Sequence, residues 1–276
     1  MSFDAHHEAA LIDAVRTAAR SEIMPRFRNL PAADIATKSA PDDLVTVADR
    51  AAERAITDAV QRILPEATVV GEEAAADDPA ILDRVGTGLC VIIDPIDGTW
   101  NFANGLSVFG VIVAVVSEGR TIWGMLYDPT HDDWIAARVG QGAWFCAPDA
   151  APRAVQMGSA VALDRMTGLI VSSQFPAKDQ LHIAQTLPRF HRVTNLMCSC
   201  HEYRLLAQGS VDFCLNAHLN PWDHAAGALI VQEAGGVARL LDGADYRPTR
   251  RDGRLLLAKS EASWAALADI YSALIP

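Results

Sequence analysis

The stretch VIIDPIDGTWNF, residues 91–102, decides how the chain is read. Val91, Ile92 and Ile93 are β-branched and wholly apolar, the character of a buried strand. Asp94 and Asp97 follow within four positions, with Pro95 and Ile96 between them and Gly98 behind. A carboxylate where a strand leaves the core is held stiffly. Hard divalent cations take such oxygens, about six of them around Mg2+. Placed across a Pro-containing turn, the two carboxylates can converge on one or two ions, and the Ile96 carbonyl can face the same way. Gly98 and Thr99 offer backbone N–H groups where GTWNF begins a short helical turn, and such groups hold anions. The same letters also read as a tight turn with Asp and Thr caps, so this segment alone leaves both readings open.

Three other segments end the same way. VVGEEA, 69–74, is again an apolar strand running out into acids, Glu72 and Glu73. In isolation these read as solvated surface. NPWDHAAGALIVQEAGG, 220–236, places Pro221 and Asp223 in the first turn of a helix that Gly235 and Gly236 stop. Capping and dipole compensation are enough to explain Asp223 there. DDLVTVAD, 42–49, leads into a helix in which Asp49 is an ordinary early acid.

Composition narrows the class. Of 276 residues, half are hydrophobic and 21% charged, which is the balance of a folding globular chain. The net charge of −11 argues against a nucleic-acid surface but not against a phosphorylated substrate, because bound cations reverse a local field. The start MSFDAHHEAA carries neither a basic nor an apolar leader segment. VFGVIVAVV, 108–116, is too short to span a bilayer as a helix. Cytoplasmic placement and no membrane partner are therefore expected. Cys90, Cys146, Cys198, Cys200 and Cys214 are scattered and suit reduced thiols packed as small hydrophobes. The C-x-C of MCSC, 197–200, lacks a second pair for zinc.

Apolar spacing predicts helices over 3–23 and 47–63, short strands at 67–70 and 89–93, a hairpin turning at Glu118-Gly119, and two strands about 140–142. Beyond about residue 151, strands alternate with helices near 178–187, 199–208 and 223–234 before a final strand and helix. Residues 1–150 thus read as helices on a mostly antiparallel sheet, and 151–276 as an α/β half.

GEE, DPIDGTWNF and PWDHAAGALIVQEAGG, in this order and at these separations, closely resemble the inositol monophosphatase family, and KSAPDDLVTVAD (38–49) resembles its upstream segment. The resemblance covers about residues 5–270. It implies a layered α-β-α-β-α sandwich, α+β to α/β in class. The implied protein is a lithium-sensitive homodimer that hydrolyses a small-molecule phosphate monoester with two or three Mg2+ ions, Mn2+ being a substitute. Carried over, Glu72, Asp94 and the Ile96 carbonyl bind the first ion, and Asp94, Asp97 and Asp223 the second. A third, weaker ion sits by Glu72. Thr99 and Asp49 position and deprotonate the attacking water, and Gly98 and Thr99 amides hold phosphate.

The pattern departs at the substrate wall. Inositol-preferring members carry Glu where this chain has Asn216, and the usual Gly-Ser/Thr-Ala segment is here MCSCHEY, 197–203. Asn216 and Glu202 are the substrate-side candidates, with His218, Tyr203 and His224 nearby, and Arg204 a candidate for a second anionic group. Histidinol-phosphate phosphatase, fructose-1,6-bisphosphatase and 3′(2′),5′-bisphosphate nucleotidase activities stand as alternatives on the same site, as does a catalytically silent relative.

Overall fold

In a computed structural model, which describes residues 3–38, 40, 41 and 43–276, helix α1 (Ala5–Ala18) is followed by the short antiparallel pair β1 (Ile35–Thr37) and β2 (Leu44–Thr46), then by α2 (Val47–Ile63). Ser39 and Asp42 of the quoted upstream segment, and Met1 and Ser2, lie outside the described residues. The helix expected over 3–23 changes at Ala19. There the Met24 amide donates to the Ala19 carbonyl five residues back, and the wider turn keeps Ala19 and Ile23 buried.

The first sheet holds β3 (Thr68–Gly71), β4 (Leu89–Asp97), β5 (Gly110–Ser117), β6 (Arg120–Asp128), β7 (Asp133–Arg138), β8 (Ala143–Ala147) and β9 (Ala150–Val155), in that spatial order. The β3–β4 pair is parallel and every later pair antiparallel. Helix α3 (Glu72–Asp77) leaves β3, and α4 (Thr99–Ala103) leaves β4. The second sheet holds β10 (Thr167–Ile170), β11 (Arg192–Thr194), β12 (Phe213–Asn216), β13 (Val237–Leu240) and β14 (Leu255–Ala258) in the order β11-β10-β12-β14-β13. Its pairs around β10 are parallel and those around β14 antiparallel, so the expected α/β half is a mixed sheet. Its helices are α5 (Ala177–Thr186), α6 (Ser199–Ala207), α7 (Pro221–Glu233) and α8 (Glu261–Tyr271).

Period-two burial sets the layers. Val91, Ile93, Val111, Val113 and Val115 pack with Leu11, Val15, Ile56 and Val60 of α1 and α2. Their neighbours Ile92, Ile112, Ala114 and Val116 face Tyr203, Leu206, Ala226 and Ile230 of α6 and α7, which also cover Cys214, Leu255 and Leu257 of the second sheet. The far side of that sheet, Phe213, Leu215 and Leu256, meets Ile183 of α5 and Leu267 and Tyr271 of α8. The result is the five-layer α-β-α-β-α sandwich. The first sheet reaches Val155; division into two halves stands as a proposal drawn from the sequence.

One irregularity places the site. The strand does not end at Ile93 but runs on to Asp97. Asp94 pairs with Ile112 and Asp97 with Gly110, three residues on β4 against two on β5. Residues three apart on a regular strand point to opposite faces. The extra residue re-phases the chain, so that both aspartates emerge on one side. A bulge, not a terminal turn, therefore brings the two carboxylates together.

Candidate active site

Asp94, Asp97 and Asp223 present carboxylate oxygens all within 4.8 Å of one another. Two come from β4, the third from the first turn of α7, where Pro221 starts the helix at N1. Glu72 begins α3 directly after Gly71, which is paired with Ile93. Glu72 therefore leaves β3 beside Asp94 of the adjacent parallel strand β4. These four acids, with Ile96, Gly98, Thr99, Glu202, Asn216 and His218, line one cavity of about 690 Å³. His224 lines it too; of the sequence-predicted site residues, Tyr203, Arg204 and Asp49 do not, Asp49 being fully buried behind Thr99.

Burial pushes the Asp94 carboxyl well above the usual carboxylate range, and the charges of Glu72, Asp97 and Asp223 push the same way. Asp97 is raised to about 8 by burial and then by Asp223, although its Oδ2 accepts from the Cys200 amide at 2.5 Å and the Cys198 thiol at 3.1 Å. Asp94 Oδ1 is buried without any hydrogen-bond partner. Among the described residues no Lys or Arg lines the cavity. A crowd of desolvated carboxylates, one with an orphaned oxygen, fits divalent cations.

The second half of the site is a hydrogen-bond chain behind Thr99. Thr46 caps α2, and its amide and hydroxyl both donate to Asp49 Oδ2, at 2.8 and 2.5 Å. The other oxygen, Oδ1, stands 3.1 Å from the Thr99 hydroxyl, which also lies 3.0 Å from the Ile96 carbonyl. Burial raises Asp49 to about 7 against the pull of Thr46. Gly98, at φ +86°, caps α4; a side chain there would meet the Val108 carbonyl at 2.9 Å.

On the opposite wall, Glu202 is buried and accepts from the Leu196 amide at 2.7 Å, which braces the segment before α6. His224 Nε2 donates to the His218 carbonyl at 2.7 Å, so Nδ1 accepts from the Tyr203 hydroxyl at 2.8 Å. Asn216 Nδ2 donates in turn to Tyr203 at 3.4 Å. Arg204 is not an anion ligand of this cavity. It is buried, donates to the Leu126 carbonyl at 2.9 Å, and pairs with Asp133. The helix turns it toward the first sheet, away from the pocket.

Sequence reasoning missed two side chains. Lys38 Nζ bridges Glu72 and Glu73, at 2.9 and 2.6 Å, and Glu73 is buried, so this pair is not solvated surface. Glu53 accepts from the Glu73 and Ala74 amides. Its signal was legible: a Glu on the buried stripe of α2, one turn after Asp49.

The profile of the inositol monophosphatase family matches residues 5–274. An inositol-1-monophosphatase of Bacillus subtilis is 30% identical over 213 residues, 77% of this chain and 78% of its own length. A Salmonella typhimurium protein called Nus factor SuhB is 32% identical over 237 residues, 81% of this chain and 82% of its own. Among solved structures, a Thermotoga maritima IMPase superposes with a TM-score of 0.80 at 24% identity, covering 98% of both chains.

Proposed function

The chain belongs to the inositol monophosphatase family, and from that premise we propose that it hydrolyses the monophosphate ester of a small, uncharged, hydroxyl-bearing alcohol with the help of Mg2+. The observation that carries the reading is the convergence of Asp94, Asp97 and Asp223 within 4.8 Å, beside Glu72. Glu72, Asp94 and the Ile96 carbonyl would hold one ion, and Asp94, Asp97 and Asp223 another, with Mn2+ able to substitute. Bound there, divalent cations neutralise the phosphoryl charge and acidify a water.

The residues around them do the rest. Asp49, fixed through Oδ2 by Thr46, accepts the Thr99 proton on Oδ1. The Thr99 oxygen thereby faces the cavity as an acceptor for the attacking water, and the water's proton follows through Thr99 to Asp49. A base near pH 7 suits this transfer. Gly98 and Thr99 amides hold the phosphoryl oxygens. Asn216 spends its amide N–H on Tyr203 and offers its oxygen to a substrate hydroxyl; Glu202 shapes the wall from behind.

Lys38, the cation that reaches the cavity's acids, is already engaged by Glu72 and Glu73 at 2.9 and 2.6 Å, which favours a single phosphate. The test is phosphate release from inositol 1-phosphate, other polyol monophosphates, histidinol phosphate, fructose 1,6-bisphosphate and adenosine 3′,5′-bisphosphate, with Mg2+ and with chelator. Mg2+-dependent release from a polyol monophosphate, in preference to the bisphosphates, is expected. No release from any ester under Mg2+ or Mn2+ refutes the reading. The same family membership supports a homodimer, which sedimentation of the purified chain checks, and cytoplasmic placement, which cell fractionation checks.

A further inference from the structure

We propose that Glu53 is a positioning residue that sets the affinity of the site for its divalent cation, by fixing the backbone that carries Glu72. The proposal rests on the metal-dependent reading above. Glu53 touches neither cavity nor substrate. Its two carboxylate oxygens are both spent on the start of α3: Oε2 accepts from the Glu73 amide at 2.8 Å and Oε1 from the Ala74 amide at 2.9 Å. These are amides that a helix start leaves without partners of its own. Here they are met by a side chain from another helix, since α3 has no side-chain cap from Gly71.

A second, independent feature shows that the chain makes room for this contact. A Cβ at Gly71 would lie 2.2 Å from the Glu53 carboxyl carbon and 2.4 and 2.6 Å from its oxygens. The residue just before Glu72 is thus stripped to backbone where the Glu53 carboxylate passes. One turn earlier on the same face of α2, Asp49 holds Thr99. A single helix therefore fixes both the Glu72 backbone and the water-positioning hydroxyl relative to β4. A metal ligand's supporting contacts set its orientation, and losing one typically weakens metal binding about 10- to 100-fold.

Two variants test this from opposite sides. Glu53→Gln keeps the shape, but its amide nitrogen would face one of the two backbone N–H groups donor to donor. Gly71→Ala leaves Glu53 in place and evicts its carboxylate. The control is Glu233→Gln, because Glu233 clamps the Gly140 and Gly142 amides in the same bidentate way, at 2.8 Å each, on the β7–β8 turn.

Mg2+ and Mn2+ binding to the chelator-stripped full chain is measured by calorimetry, alongside the Mg2+ dependence of phosphate release. Glu53→Gln and Gly71→Ala are each expected to weaken binding about 10- to 100-fold, with maximal rate at saturating Mg2+ and KM for the ester changed far less. Glu233→Gln is expected to lower the melting temperature without moving Mg2+ affinity. Glu53→Gln binding Mg2+ like the parent overturns the proposal, and so does equal weakening by Glu233→Gln, which would mean general softening. If the parent binds Mg2+ yet hydrolyses no ester, the functional reading fails while calorimetry still decides the role of Glu53. A parent that binds neither ion overturns both.

Discussion

Mg2+ should raise the melting temperature of the chelated protein, and Asp94→Asn should erase that rise while leaving the chelated protein almost as it was. Two unit charges 4.8 Å apart, the outer limit of the Asp94–Asp97–Asp223 triangle, repel by about 3 kcal/mol at an effective dielectric constant near 20. Burial adds to this, and both push Asp94 toward its protonated, uncharged form when cations are absent. Asn at this position copies that uncharged form at nearly equal volume. The expected stability change in chelator is therefore small, within about 1 kcal/mol. With cations the two part company. Free Mg2+ at a hundredfold excess over its dissociation constant stabilises the native state by about 2.7 kcal/mol, which for a chain of this size is a rise of about 5–10 °C. The amide cannot replace the charge, so the variant's rise should vanish. Its phosphate release should fall by more than about 100-fold, since loss of even a supporting contact costs 10- to 100-fold. The assay is thermal melting at pH 7.5 in chelator and in a Mg2+ series, with phosphate release on the same samples. A parent whose melting is indifferent to Mg2+, or an Asp94→Asn protein that keeps the full rise, would refute the reasoning.

Gly98→Ala should destabilise by about 1–3 kcal/mol, because it forces a side chain to φ +86° within 2.9 Å of the Val108 carbonyl; urea unfolding measures it, and a neutral result would remove the steric argument. Asp132→Asn should cost about 1–2 kcal/mol at neutral pH, because Arg16 grips both carboxylate oxygens at 2.8 Å and Tyr127 donates at 2.9 Å. Those partners, Arg16 first, hold the Asp132 carboxyl below the usual range. Its contribution is then present above about pH 4 and is lost as pH falls through the depressed native value; a parent–variant gap that widens in acid would reverse the sign. Asn accepts the positive φ of this position, so the comparison isolates charge. Glu202→Ala leaves the Leu196 amide unmet and should cost about 1–3 kcal/mol; it should raise KM for the ester more than it shifts the Mg2+ requirement, and the opposite split would detach Glu202 from the substrate wall.

What was legible in the sequence was local. Glu72 and Asp223 each open a helix, and Asp94 and Asp97 close the apolar run of β4, so the segments GEE, DPIDGT and PWD already say where acids gather. The layers were legible in outline for the same reason, since Val111 to Val116 alternate between faces whatever lies beyond them. Arg204 shows where this stops. Its position near a helix start suggested an anion ligand, but its partners Leu126 and Asp133 are more than seventy residues away, and nothing near Arg204 announces them.

The β4 bulge and Glu53 carry that limit into the site itself. From the sequence alone, Asp94 and Asp97 converge across a proline turn. The sheet instead keeps pairing past Pro95, and only the count against β5, three residues to two, turns the second carboxylate to the same face as the first. That count belongs to two strands at once and cannot be written in either. Glu53 obeys the same rule: an acid on the apolar stripe of α2 is an expensive placement unless something buried meets it. The amides that meet it lie twenty and twenty-one residues on, behind a glycine that only the approaching carboxylate explains. The ligands are thus written locally, while the distances among them are set by pairings across the chain. A substitution that spares every ligand but breaks one of those pairings should therefore weaken the site without touching it.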